Sequence, residues 1–175
     1  MNWTDTLRAR ADLVYKAAHG LIEELDDADA AWTPTGGTNW LNGGQLIRHI
    51  TNACGNTANG FVTGKWMEGD HGMSPDWKPS EAEQMPPASV YLSFSQDEAL
   101  AALAADHEAF LSAVAEAGEE RLASERTSPP WGGPEMNLGG HLLTCIDHLQ
   151  VHKAQLFYYL KMQGKPVGTE ALWGM

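Results

Sequence analysis

The chain is poor in cysteine and in basic residues, and each shortage excludes a class of function. Two cysteines in 175 residues are too few for a disulfide framework and favour a reducing compartment. Only 11 lysines and arginines stand against 23 acidic residues, which gives a net charge of −12. Because nucleic-acid binding needs clustered basic side chains to neutralise phosphates, we expect no nucleic-acid partner.

Long apolar runs are missing as well. No apolar stretch approaches the ~18 residues that a transmembrane helix needs, and Asp5 and Arg8 stand where a signal peptide would have its apolar core. We therefore expect a cytoplasmic protein without membrane contact, whose partners are a small molecule, a metal ion or a second copy of the chain. The length predicts one domain, over residues 1–175.

Apolar residues that recur at three- and four-residue steps predict four long helices. Two of these helices begin at capping boxes, in which a polar residue is followed three positions later by Gln or Glu. The predicted helices run from the N-terminus to about Glu24, from Asn42 to about Thr63, from Ser95 to near Gly118, and from about Leu138 to Gln163. This order predicts an all-α fold, a four-helix bundle with long crossover loops.

The longest predicted loop, Gly69 to Phe94, contains four prolines. A structureless connection of this length is usually a lid, a binding loop or a disordered stretch. Trp77 in this loop and Trp131 in a second proline-rich loop are candidates to roof a pocket. Met85 and Tyr91 indicate that at least part of the longer loop packs onto the bundle.

Two histidines, His148 and His152, lie on one face of the last predicted helix, because positions i and i+4 are nearly aligned. Each can present a neutral nitrogen to one borderline metal ion such as zinc, nickel or iron. His141 lies on the same stripe but about 10 Å farther along the helix axis, too far to share that ion. No glutamate stands inside the pair as in H-E-x-x-H, which excludes a zincin protease. Serine nucleophile elbows and phosphate-binding glycine loops are also absent.

A polar stripe on the second predicted helix supplies a candidate third ligand. Gln45, His49, Asn52 and Asn56 follow one another at four- and three-residue steps, beside an apolar stripe. Amides and an imidazole without charged neighbours indicate either the lining of an internal polar site or a face covered by loops. Since bundle metal sites use side chains that project inward from facing helices, we expect His49 to complete the site. The three amides would then orient ligands or substrate.

Two further residues have both a functional and a structural interpretation. Cys145 precedes His148 by three residues and could approach the metal, although a small buried hydrophobe is the commoner role of a free cysteine. His107 falls within the apolar stripe of the third predicted helix. That position favours a core or boundary histidine with one hydrogen bond over a direct metal ligand.

The last helix resembles the signature of the DinB-like superfamily, which includes bacillithiol-transferase-like proteins. Residues 148–156 (HLQVHKAQL), followed by an aromatic-Leu pair and Gly164, have its pattern of two histidines, a basic residue, a small residue and glutamine. Residues 46–50 (LIRHI) resemble its second-helix motif, which supplies the first metal histidine. Residues 32–34 (WTP) match its usual loop.

This resemblance implies a bundle, often a homodimer, that binds zinc or nickel through His49, His148 and His152. Gln155 belongs to the same motif and is expected to support a metal ligand or the substrate. The superfamily's common Arg-Gly is Lys153-Ala154 here, so the contacts of an arginine fork are not expected.

The resemblance further implies a metal-dependent thiol S-transferase or a related hydrolase that activates a low-molecular-weight thiol or water for attack on a small-molecule substrate. The alternative is a non-catalytic binding or dimerisation bundle, in which the histidines hold a structural ion or none.

Overall fold

The computed structural model of the protein describes residues 2–66 and 86–175. Its helices are α1 (Trp3–Glu23), α2 (Asp27–Ala30), α3 (Gly43–Ile50), α4 (Gly55–Thr63), α5 (Gln96–Ser124), α6 (Leu138–Met162) and α7 (Thr169–Trp173), and its strands are β1 (Arg126–Thr127) and β2 (Met136–Asn137). The two strands pair antiparallel, and a short 3-10 turn spans Ala88–Val90. The predicted all-α fold is confirmed.

Four long helical segments form the bundle. α1 packs against α5 and α6, and the α3–α4 pair packs against the same two helices. Fully buried apolar side chains from each segment fill the centre: Leu7, Leu21, Ile47, Phe110, Leu142 and Ile146. Full burial of one such side chain stabilises the folded state by roughly 1.5–3 kcal/mol. The buried apolar side chains of the four segments therefore supply most of the stability of the fold.

Both predicted capping boxes are present. The Asn42 side chain accepts from the Gln45 amide while the Gln45 side chain accepts from the Asn42 amide, and Ser95 and Glu98 exchange the same two contacts. The last predicted helix is confirmed as α6. No helix among residues 2–66 and 86–175 is both long and apolar enough to cross a membrane.

The prediction of one continuous second helix is wrong. α3 ends at Ile50 and α4 begins at Gly55, with the backbone of Cys54 outside the helical region at φ −127° and ψ −66°. The carboxylate of Asp106 on α5 accepts the amide of Asn56 at 3.1 Å. A side chain from a neighbouring helix thus caps the start of α4, which stabilises the interruption.

The predicted end of the third helix near Gly118 is a kink. Gly118 has φ 66° and ψ 166°, after which the helical backbone resumes and continues to Ser124. The positive φ favours glycine, which has no side chain to clash there. The short elements α2, α7, β1 and β2 had no counterpart in the sequence analysis.

The long loop is described only in its last part. Residues 67–85, including Trp77 and Met85, lie outside the described residues. From Pro86 onward the chain packs onto α3: Gln45 Nε2 donates to the carbonyls of Ala88 and Tyr91, both at 2.9 Å. The prediction that part of this loop packs down is confirmed for Tyr91.

Candidate metal centre

Three histidines from two helices converge at one point. His49 on α3 and His148 and His152 on α6 each present a ring nitrogen, and the three nitrogens lie within 4.8 Å of one another. The Nε2 atoms of His49 and His152 are 3.1 Å apart. Two nitrogens bound tetrahedrally to zinc at 2.0–2.1 Å are separated by roughly 3.3 Å. The donor set therefore fits a divalent ion with little rearrangement.

Hydrogen bonds at Nδ1 orient two of the three rings. Nδ1 of His148 contacts the Ala53 carbonyl at 3.2 Å, and Nδ1 of His152 contacts the Gln155 side-chain oxygen at 2.8 Å. Both oxygens are acceptors, so both Nδ1 atoms carry the proton and both Nε2 atoms keep a free lone pair. This is the tautomer in which Nε2 can bind a metal, held by outer partners as in known metal sites.

Burial keeps the imidazoles neutral. The pKa of His49 is lowered to about 4, first by burial and then by His152 and His148. Burial also lowers the pKa of His148 and of His152, although the contacts with Ala53 and Gln155 oppose the shift. Near neutral pH, few protons therefore compete with a metal for the three nitrogens.

These shifts predict an acid-dependent loss of stability in the metal-free protein. An unfolded histidine takes up a proton below about pH 6.5, whereas folded His49 stays neutral until about pH 4. Since the unfolded state then binds more protons, the free energy of unfolding falls as the pH drops from about 6.5 towards about 4. Urea unfolding of chelator-treated protein across this window measures the slope. His49→Gln is expected to flatten it, and an unchanged slope in that variant would contradict the shift.

The three histidines differ in exposure. His148 is exposed, while His49 and His152 are half-buried. No fourth histidine, cysteine or acidic side chain from the described part of the chain joins the group. Three histidines without a fourth protein ligand are typical of catalytic metal sites, whereas structural sites usually have a fourth protein ligand.

The predicted supporting amides have different partners. Gln155 contacts His152 directly. Gln45 is occupied by the α3 cap and by the carbonyls of the Pro86–Phe94 segment. Asn56 donates to the side chain of Asn52 across the break between α3 and α4. A role of these amides in orienting a substrate stays a prediction.

The remaining candidates have structural environments. Cys145 is buried, and burial raises the pKa of its thiol to about 12, which favours the packing role. His141 is buried, stacks on Phe61 with ring centroids 4.4 Å apart and contacts the Thr127 carbonyl at 2.8 Å. His107 contacts Asp12 at 3.0 Å and stacks on Tyr15, as expected of a boundary histidine.

Two other side chains have packing partners away from the three histidines. Trp131 contacts Phe61 and Trp66 beside His141, so its packing partners lie at that end of α6. Lys153, in the place of the superfamily's arginine, is buried, and its Nζ donates to the Leu172 carbonyl while lying 5.5 Å from the Trp173 ring centroid. These contacts of Lys153 hold α7 against α6.

Sequence reasoning missed two contributors to the site. Tyr91 places its ring edge-on to His49, with centroids 6.4 Å apart. The carbonyl of Ala53 orients His148, and no residue-type pattern marks a backbone acceptor.

Comparison with known families agrees with the geometry. The family model of the DinB superfamily matches residues 10–156, a span that contains all three histidines. No curated protein matches the chain. The match covers most of the bundle, and we conclude that the chain belongs to the DinB superfamily.

Proposed function

We propose that the protein is a metal-dependent enzyme, a thiol S-transferase or a related hydrolase, that holds zinc or nickel through His49, His148 and His152. The observation that carries this proposal is the convergence of three neutral imidazoles on one point, with no fourth protein ligand among the described residues. An ion bound there would supply Lewis acidity, lowering the pKa of a coordinated thiol or water.

The chain's own residues would bind and orient. The contacts of His148 with Ala53 and of His152 with Gln155 fix the imidazole tautomers before the metal arrives. Tyr91 lies beside His49, where its ring can contact a substrate bound at the metal position. Burial raises the pKa of its phenol, so near neutral pH it would act as a hydrogen-bond donor.

The thiol is expected to be an external co-substrate. Both cysteines, Cys54 and Cys145, are buried, and burial raises the pKa of each thiol well above its ordinary range. A buried, protonated thiol is a poor nucleophile. A low-molecular-weight thiol of the glutathione, mycothiol or bacillithiol kind is therefore the favoured nucleophile, with water as the alternative.

The experiment is a screen of metal-loaded protein with these thiols against electrophilic substrates such as activated aryl halides and epoxides. We expect turnover that disappears on chelation and is restored by zinc or nickel. His49→Gln should lack it, whereas His19→Gln, which changes an exposed histidine of α1 outside the site, should retain it. Equal turnover with and without metal would contradict the proposal.

One observation favours a second role. His49 and His152 belong to different helices, so an ion held between them would cross-link α3 to α6. A purely structural ion would raise the melting temperature strongly without any thiol or hydrolytic turnover. Thermal melting with and without chelator, run on the same preparations as the screen, separates the two roles.

We also propose that the protein is a homodimer. Val151, Tyr158 and Met162 are large exposed apolar residues that share one side of α6, and a second copy would cover them. Sedimentation equilibrium that gave only monomer would contradict this.

A further inference from the structure

A buried carboxylate lies behind the metal centre. Asp106 on α5 is 2% exposed and is the only buried acidic residue in the described part of the chain. It accepts the Tyr15 hydroxyl at 2.7 Å and the Asn56 amide at 3.1 Å. The amide N–H groups of Gly55 and Cys54 also lie close enough to this carboxylate to lower its pKa. A charge buried this deeply needs such donors, and all of them come from α1 and from the start of α4.

Tyr15 acts as a donor in this cluster. Burial raises the pKa of its phenol, so the proton stays on Tyr15 and Asp106 is the acceptor. The pKa of Asp106 is raised by burial, and the hydrogen bonds that it accepts counteract that rise.

One peptide bond connects this carboxylate to a metal ligand. The Cys54 amide faces Asp106, while the Ala53 carbonyl, in the same peptide unit, accepts Nδ1–H of His148 at 3.2 Å. This peptide bond is trans, so its N–H and C=O point in opposite directions. The order is therefore carboxylate, peptide, imidazole, with the Nε2 of His148 facing the metal position.

Such a chain of polar contacts has a direct effect on a ligand. A carboxylate that accepts the N–H of a peptide polarises it, which makes the carbonyl a stronger acceptor. A stronger acceptor at Nδ1 fixes the imidazole tautomer and makes Nε2 more basic, as carboxylates do when they contact a metal-binding histidine directly.

We propose that Asp106 is a positioning residue for the metal centre, acting on His148 through the Ala53–Cys54 peptide bond. The inference rests on the proposed metal site and goes beyond it, because it assigns a role to a residue that contacts neither the metal position nor any of its three histidines. The competing view is that Asp106 only caps α4.

Asp106→Asn tests the relay, because asparagine keeps the shape and an acceptor oxygen but removes the charge. We expect the dissociation constant for zinc, measured by competition with a chromophoric chelator, to rise by about 10-fold or more. In the metal-free protein, imidazole ¹⁵N NMR should show His148 as the Nδ1–H tautomer in the wild type and as a mixture in the variant. Ser95→Ala removes the cap at the far end of the same helix and should lower stability without changing either readout.

A second variant covers the case in which Asp106→Asn does not fold. Tyr15→Phe removes one donor but leaves the charge, so the Cys54 amide keeps its acceptor. This variant is expected to lose stability while its zinc affinity and its His148 tautomer stay unchanged. If zinc affinity falls in step with stability, the capping view is correct and the relay is wrong.

The tautomer measurement needs no metal and separates the two proposals. A wild-type protein that binds no zinc would contradict the metal site alone, since the His148 tautomer would still report on the relay. An Nε2–H tautomer in the wild type, or an unchanged Nδ1–H tautomer in folded Asp106→Asn, would overturn the relay whatever the metal content.

Discussion

Replacing His148 with alanine is expected to remove the bound metal almost completely. Loss of a direct ligand should weaken binding by more than the roughly 10–100-fold that loss of an outer partner costs. Two imidazoles, His49 and His152, would remain, and they cannot fill a three-histidine site. Because His148 is the exposed member of the three, its truncation leaves the core intact. Metal analysis of protein purified without added metal, together with chelator competition, measures the effect.

The matched control is His19→Ala. His19 is exposed on α1 and pairs with Glu23 at 3.3 Å, so it offers the same loss of an imidazole at a position outside the three-histidine group. This variant should keep its metal. Equal metal content in the wild type and in His148→Ala would sink the three-histidine site, and loss of metal in both variants would mean that the ion is bound non-specifically.

Gly55→Ala is expected to give the largest loss of stability of any single methyl addition considered. A Cβ at this position would lie 1.9 Å from the backbone oxygen of Asp106 and 2.8 Å from its carbonyl carbon. Backbone atoms cannot rotate away, so α4 and α5 would have to separate. Overpacking of this kind lowers the free energy of unfolding by roughly 1–3 kcal/mol. Because the clash is with backbone atoms, we expect a loss of about 3 kcal/mol or more. Urea unfolding gives the free energy of unfolding directly.

Gly20→Ala provides the comparison. Gly20 lies inside α1, and a Cβ there would meet nothing within 4 Å. Alanine favours the helical backbone over glycine by roughly 0.5–1 kcal/mol, so this variant should be as stable as the wild type or slightly more so. If both variants behaved alike, the close approach of α4 to α5 would not be a determinant of the fold.

Much of the bundle follows from local sequence. The stripes of α1, α5 and α6 have the 3.6-residue period, and their buried members are those that the period selects. Asn42 and Ser95 mark helix starts because their side chains have a nearby amide to cap. Local chemistry of this kind needs no knowledge of the rest of the chain.

The ligand set also has a local component. His148 and His152 share a face through their spacing alone, and His49 stands out because its stripe is polar but uncharged. The contact between these two helix faces, however, is set by the tertiary structure. Inward-facing stripes of a bundle are expected to meet, but only the folded structure shows that the nitrogens lie within reach of one ion.

The helix break next to the site was beyond local prediction. Residues 51–54 continue both stripes of the second predicted helix, and they contain neither proline nor glycine. The interruption depends on Asp106, which lies 50 residues from Asn56 in sequence and binds backbone amides. Any residue type supplies an amide, so the contact leaves no pattern to detect. Gly118 is different, because a glycine in a helical pattern does indicate an irregularity. A glycine at a kink and a glycine at a helix end look the same in sequence, and here the helix continues to Ser124.

The distance along the chain between the ligands bears on how the protein would acquire its ion. His49 and His152 are in contact although 103 residues separate them in sequence, so the α6 pair is synthesised well after His49. A ribosome-bound chain whose α6 is still unmade offers at most a single imidazole from this set. Discrimination among cellular metals would therefore depend on the geometry of the assembled bundle.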